Sequence, residues 1–297
     1  MTEQAILFDS SRCSGCKACQ VACKTWNSLP SPLEKNSQEW NGSLQCPPDL
    51  GSNTRLIITF NEGDNGKKYG VNWAFGRRSC MHCTNAACVN VCPSGCLYHD
   101  EYGMVTYDAE KCIGCQYCRS ACPFDVPRHK GSDDILGGSV VINKCTGCPD
   151  RVAHGRKPAC VTTCQPGALD FGDRDDMIAI AEERVALLHK KGFDKARVYG
   201  KYEMDGCHVI YVLKYGIEQY ELPENPKIMG TVNASSKVMK PLTALGFVAV
   251  IAGLAVCYIS GIGYHRDTMR YDEKKHDVID VDTGEVIKHI DKEAGER

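Results

Sequence analysis

The stretch 111–123, KCIGCQYCRSACP, carries four cysteines separated by two, two and three residues, with a proline straight after the last. The same spacing, without the proline, recurs at Cys13, Cys16, Cys19 and Cys23. Two further sets keep its ends and stretch its middle. Cys80, Cys83, Cys88 and Cys92-Pro93 leave four residues before the third cysteine, and Cys145, Cys148, Cys160 and Cys164 leave eleven. Every set closes on a gap of three, which puts the last cysteine about one helical turn beyond the third. One small unit repeated in this way reads as duplication. The chain has 20 cysteines in 297 residues, a density that means disulfides or metal. Adjacent Cys-x-x-Cys pairs would staple only tiny loops, which argues against a disulfide scaffold. Zinc ribbons use such pairs too, but not two copies of the full run with its terminal gap of three.

The full run is the one in which three closely spaced thiolates hold one [4Fe–4S] cube and the fourth serves another. A short loop can wrap three corners of a cube while its backbone N–H groups point at the sulfurs, but it cannot also bend back to the fourth corner. The distant cysteine therefore ties two loops together. Insertions before the third cysteine of the second and fourth sets change a loop and leave the ligand number alone. Cys46, Cys96, Cys207 and Cys257 have no companion at ligand spacing and read as unligated thiols. His82, inside the second set, reads as an ordinary loop histidine, with a hydrogen bond to a cluster as the alternative.

Around the cysteines, 55–60, 104–107 and 140–142 are β-rich runs of strand length, bounded by turn residues. The segment 26–51, rich in Pro, Ser and Asn, reads as a long inserted loop. From Asp173 the pattern turns helical, with a cap followed by Met177, Ile178, Ile180, Ala181, Val185 and Leu188 on one face and Gly192 as the stop. Residues 197–199 and 208–213 then read as strands, and 222–226, marked by two prolines, as a linker.

No charged residue lies between Lys240 and Arg266. The apolar run between them predicts a membrane-spanning helix over 241–264, since ~24 residues rise about 36 Å against a hydrocarbon core of roughly 30 Å. Gly246, Gly253 and Ser260 recur every seven residues and offer a narrow seam for a second membrane helix. His265, at the end of the span, reads as an interfacial polar residue, with approach to a neighbouring subunit's haem as the alternative. Lys227, Lys237 and Lys240 precede the span, whereas Arg266, Arg270, Lys274 and Lys275 follow it, a slight excess that favours a cytoplasmic tail. The N-terminus, MTEQAILFDSSRC, has none of the features of a secretory leader. It leaves a cytoplasmic location or export with a signal-bearing partner. A net charge of −2 gives no reason to expect nucleic acid as a partner.

CKACQVACKTWN at 16–27, CMHCTNAACVNVCPSG at 80–95, KCIGCQYCRSACPFDVPR at 111–128 and CQPGAL at 164–169 resemble the four-cluster iron–sulfur subunits of molybdopterin oxidoreductases. The likeness covers about residues 5–172. With the Lys24-Thr-Trp-Asn continuation, the Pro-rich insert and a single C-terminal membrane helix, the chain is most similar to the beta subunits of membrane-bound formate dehydrogenase. That resemblance implies four [4Fe–4S] clusters and a pairing of the first set with the fourth and the second with the third. Carried onto these residues, it assigns Cys13, Cys16, Cys19 and Cys164 to cluster 1, and Cys23, Cys145, Cys148 and Cys160 to cluster 2. Cys80, Cys83, Cys88 and Cys122 go to cluster 3, and Cys92, Cys112, Cys115 and Cys118 to cluster 4. Cys96 departs from the family, where a small residue is usual, and would place an extra thiol beside a cluster.

The expected fold is α+β, two pseudo-repeated bacterial 2[4Fe–4S] ferredoxin-like units plus one C-terminal transmembrane helix. Its expected divisions are a cluster domain over 1–172 with an inserted loop at 26–79, a small α+β extension over 173–221, a linker over 222–240, the span over 241–264 and a polar tail over 265–297. The resemblance implies an electron-transfer subunit without catalytic residues. It would pass electrons from a molybdenum or tungsten pterin catalytic subunit that oxidises formate to a membrane cytochrome b and quinone, with the cluster domain periplasmic and the tail inside. The alternatives are service to an uptake hydrogenase, service to another pterin reductase, or a stand-alone membrane ferredoxin.

Overall fold

The structure, a computed structural model, describes residues 2–30, 43–64, 68, 70–131, 140–230, 232, 240–261 and 268–290. It divides into two units, Met1–Lys237 and Val238–Arg297. The first runs β1 (Gln4–Asp9), α1 (Ala18–Trp26), β2 (Ile57–Asp64), β3 (Val71–Arg78), α2 (Ala87–Val91), β4 (Leu97–His99), β5 (Val105–Tyr107), α3 (Tyr117–Ala121), β6 (Arg128–Lys130), β7 (Val141–Asn143), α4 (Pro149–Val152), α5 (Ala159–Thr162), β8 (Leu169–Asp173), α6 (Arg174–Lys190), β9 (Arg197–Tyr199) and β10 (Val209–Leu213). The second holds α7 (Lys240–Gly261), β11 (Met269–Asp272), β12 (Asp277–Asp280) and β13 (Val286–His289).

The frame of the first unit is a sheet of order β8-β1-β10-β9. β1 and β10 lie parallel at its centre, with Ile6 opposite Val209 and Phe8 opposite Tyr211. Central strands are covered on both faces, which is why both sequences are almost wholly apolar. Alternation then sorts them. Ala5, Leu7, Ile210 and Val212 pack under α6 with Met177, Ala181 and Leu188. Ile6, Phe8, Val209 and Tyr211 face the other way, into the core shared with Cys19, Cys23 and Cys160. The sheet therefore joins the N-terminus to residues well beyond 172. Asp173 caps α6 as its sequence predicts, its side chain accepting from the N–H of Asp175 at 3.2 Å. Ile180 departs from the predicted apolar face and is exposed.

Against this frame stand three antiparallel hairpins, β2/β3, β4/β5 and β6/β7, and the short helices that carry cysteines. α1 packs on α5, and α2 on α3. Leu222, Ile228 and Val232 pack on the main core, so the proline-marked stretch read as a linker lies along the unit.

In the second unit α7 is a helix of 22 residues. Leu242, Leu245, Phe247, Ile251, Leu254 and Tyr258 are all more than half exposed, so the helix has no polar face. Among the described residues, no helix is long and apolar enough to cross a membrane; the side chains at 240, 241 and 244 are not described. The predicted polar tail is not featureless, because β11, β12 and β13 form an antiparallel sheet. His265 lies outside the described residues.

Candidate metal centre

Each set of cysteines begins on a loop with one feature in common. The residue before the second cysteine has a left-handed backbone: Gly15 at φ 69°, His82 at 49°, Gly114 at 71° and Gly147 at 79°. Glycine adopts that conformation without strain, whereas a histidine does so only when its surroundings hold it there. The turn leads into a short helix that presents the later cysteines. α1 carries Cys19 and Cys23, α5 carries Cys160 with Cys164 just beyond it, α2 carries Cys88 with Cys92 as its C-cap, and α3 carries Cys118 with Cys122 as its C-cap.

Because α1 packs on α5 and α2 on α3, the cysteines regroup across the chain. One cavity is lined by Cys13, Cys16, Cys19 and Cys164, walled by Phe8, Ile58 and Leu169. Another is lined by Cys80, Cys83, Cys88 and Cys122, with Lys144 and Phe124. Cys23 has Cys145, Cys160 and Cys148 as its electrostatic neighbours, and Cys118 has Cys115, Cys112 and Cys92. Each helix thus gives its first cysteine to one group and its last to the other. The groups also touch in series, Cys19 beside Cys160 and Cys80 beside Cys145.

Burial pushes the thiols up, Cys13 to about 11 and Cys19, Cys118, Cys122 and Cys148 to about 12. Crowding by the other sulfurs adds to this in each case. A cation bound among these sulfurs would favour the thiolate form that burial disfavours. At Cys92 burial is outweighed by hydrogen bonds from the backbone around Leu97 and from Ser94, and the thiol is held below its usual value.

Donors are already aimed at several sulfurs. The N–H of Leu169 lies 3.3 Å from Cys164 Sγ and that of Ile142 lies 3.4 Å from Cys112 Sγ. Asn27 Nδ2 lies 3.8 Å from Cys23 Sγ. Sulfur-only donor groups, N–H groups turned toward them and apolar walls fit a [4Fe–4S] cube. Among the described residues no three His, Cys, Asp or Glu side chains converge tightly enough for a single metal ion.

Several residues of the site were misread or missed in the sequence. His82 is no ordinary loop histidine: it is fully buried, with Nε2 3.5 Å from Cys145 Sγ. Burial, with Lys144 and Arg77 close by, holds its pKa well below the ordinary range. Cys207 is a free thiol, as expected, but it is fully buried and its backbone pairs with that of Cys83 in an isolated antiparallel bridge, which puts its thiol beside the Cys83 sulfur. Cys96, by contrast, lies as expected beside one of the cysteine groups, against Cys112 and Cys92, and burial raises its thiol to about 12. Arg77 and Lys144, both buried among the sulfurs, went unnoticed. Strand alternation gave no signal for Arg77, because it shares its side of β3 with Val71 and Trp73, which are exposed.

A fold of short helices holding grouped cysteines defines an iron–sulfur electron-transfer protein, and residues 71–174 match the 4Fe–4S dicluster domain. The iron–sulfur subunit of the nitrate-inducible formate dehydrogenase of Escherichia coli is 39% identical over 280 residues, covering 93% of this chain and 90% of that protein. The formate dehydrogenase-O iron–sulfur subunit of the same organism is also 39% identical, over 89% of this chain and 85% of that one. Formate dehydrogenase 2 subunit beta (cytochrome c-553) of Nitratidesulfovibrio vulgaris is 36% identical over 73% of this chain and 96% of its own length. The chain belongs to the family of formate dehydrogenase iron–sulfur subunits.

Proposed function

We propose that the chain relays electrons one at a time through four [4Fe–4S] clusters, from a molybdenum or tungsten pterin subunit that oxidises formate to a membrane cytochrome b and quinone. The observation that carries this reading is the regrouping of cysteines from opposite ends of the chain around the α1/α5 and α2/α3 pairs. The ligand sets are Cys13, Cys16, Cys19 and Cys164; Cys23, Cys145, Cys148 and Cys160; Cys80, Cys83, Cys88 and Cys122; and Cys92, Cys112, Cys115 and Cys118. Bound there, the clusters supply one-electron redox capacity, and the protein's residues set its level through burial, hydrogen bonds and charge. Cys16 and Cys115 are exposed while the middle sets are covered. This arrangement suits entry at one end of a row and exit at the other.

The proposal includes an anchor. The chain carries no charged residue between Lys240 and Arg266, and a helix over 241–264 would rise about 36 Å against a hydrocarbon core of roughly 30 Å. A helix apolar on every side belongs inside a membrane or a protein core. The seam at Gly246, Gly253 and Ser260 would receive a helix of the cytochrome subunit. In this reading the cluster unit is periplasmic and the tail cytoplasmic. Anaerobic purification from membranes tests the whole scheme. It is expected to yield a large pterin subunit and b-type haem and, beyond the iron those partners carry, about sixteen iron atoms per chain, by four irons in each of four cubes. A nickel–iron partner, a lone chain or much less iron would each overturn part of it.

A further inference from the structure

Arg77, on β3, is 3% exposed, yet none of its guanidinium nitrogens has a hydrogen-bond partner among the described residues. Its neighbour Arg78 reaches Asp49 and Asp125 at the surface, but no carboxylate pairs with Arg77. A guanidinium stays protonated under any condition a protein meets. An unpaired buried charge is among the most destabilising things a core can contain. Its nearest polar neighbours are the Tyr211 ring hydroxyl and the sulfurs of Cys160 and Cys145, and among the described residues no carboxylate neutralises the charge. Cys19 is a further sulfur in its field. Lys144 makes the contrast clear, because it too is buried but donates to the carbonyls of Val105 and Cys145 at 2.5 and 2.9 Å.

Arg77 therefore lies within electrostatic reach of two groups, of Cys19 in the first and of Cys145 and Cys160 in the second. We propose that Arg77 is the shared counter-cation of these two sites, balancing the negative charge of both clusters and holding both reduction potentials up. The inference rests on the four-cluster reading above. A cube on four thiolates is an anion, and adding one electron makes it more negative. A fixed cation in a dry interior favours the reduced form more than the oxidised one. Within reach of both clusters, it also weakens the repulsion that one reduced cluster exerts on its neighbour, so an electron can pass along the pair without a steep rise.

The test is a redox titration with dithionite, followed by electron paramagnetic resonance, on the complex purified from membranes with wild-type chain, Arg77→Gln and Arg77→Lys. Arg77→Gln is expected to make two of the chain's four clusters at least tenfold harder to reduce, a fall of 59 mV or more for a one-electron couple. The other two clusters should stay where they are, and Arg77→Lys should restore most of the loss. Unchanged potentials in Arg77→Gln, or four that drift together, overturn the assignment. If Arg77→Gln fails to hold iron, the iron content of Arg77→Lys decides: recovery supports a charge role, and equal depletion rejects it. Wild-type chain with fewer than four clusters would instead refute the underlying reading.

Discussion

Replacing Gly114 by alanine tests whether the cysteine loops are built to an exact backbone shape. The residue sits at φ 71°, and an added Cβ would lie 2.7 Å from the Val140 carbonyl oxygen and 3.0 Å from Val140 Cβ. Holding alanine in the left-handed region costs about 1–2 kcal/mol. Forcing a methyl into an occupied site against backbone costs about 1–3 more, for a total of about 2–5. Gly95 is the control, since it has φ 65° but nothing within 4 Å of the same added atom, so Gly95→Ala should cost only the first part. The gain of about 0.4–1 kcal/mol from a stiffer unfolded chain is common to both and cancels. At roughly 2–4 °C per kcal/mol for a domain of this size, the remaining difference of about 1–3 kcal/mol should make Gly114→Ala melt about 2–12 °C below Gly95→Ala. Thermal scans under anaerobic conditions at one fixed rate make the comparison fair, because cluster loss renders unfolding irreversible. The push on Val140 also falls next to the Ile142 N–H that lies 3.4 Å from Cys112 Sγ. Gly114→Ala should therefore lose iron as well, and Gly95→Ala should not. Variants that melt together with full iron would refute the reasoning.

Cys164→Ser is expected to damage the cluster on Cys13, Cys16 and Cys19, and Cys145→Ser the one on Cys23, with spectroscopy and iron analysis separating the two; damage to the same cluster in both would break the pairing. Burial first, then neighbouring cations, hold His208 below its ordinary 6.5 despite its hydrogen bond to the His82 carbonyl. Below that value the unfolded chain takes up a proton that the folded chain refuses, so stability is complete above about pH 6.5 and falls as pH drops toward the folded pKa. Urea midpoints measured across this range should slope less in His208→Gln. Removing 238–297 should release the cluster unit from membranes when it is expressed without partners, and carbonate-washed vesicles that retain it would exclude α7 as the anchor. Stripping iron should expose α2, α3 and α5 to hydrogen exchange while β1, β10 and α6 stay protected; equal loss everywhere would show that the sheet does not stand apart.

What the sequence revealed was what is local. Spacing alone marked the cysteine sets, and the cap at Asp173 and the strands at 197–199 and near 209–213 followed from ordinary periodicity. The regrouping of Cys164 with Cys13 and of Cys122 with Cys80 was not legible in spacing, because nothing local records which helix packs on which; only family resemblance suggested it. The same blindness hid the sheet that joins β1 to β10, some two hundred positions apart in order. His82 looked ordinary because loop histidines usually are. Its burial depends on β10 passing over it, where the N–H of His208 donates to the His82 carbonyl at 2.9 Å.

The helices that carry the cysteines are too short to persist alone: α2 and α3 have five residues each and α5 has four, against the dozen or more an isolated helix needs. The sheet and α6, by contrast, own a core of Ala5, Leu7, Met177, Ala181, Ile210 and Val212 that contains no cysteine. The fold thus has one part that stands on apolar burial and another whose order depends on what the sulfurs hold. Since each helix carries cysteines of two groups, the packing of α1 on α5 and of α2 on α3 sets how far apart the groups of a pair lie. Coupled sites of this kind keep their spacing fixed, and fixed spacing is what passage of an electron from one site to the next requires.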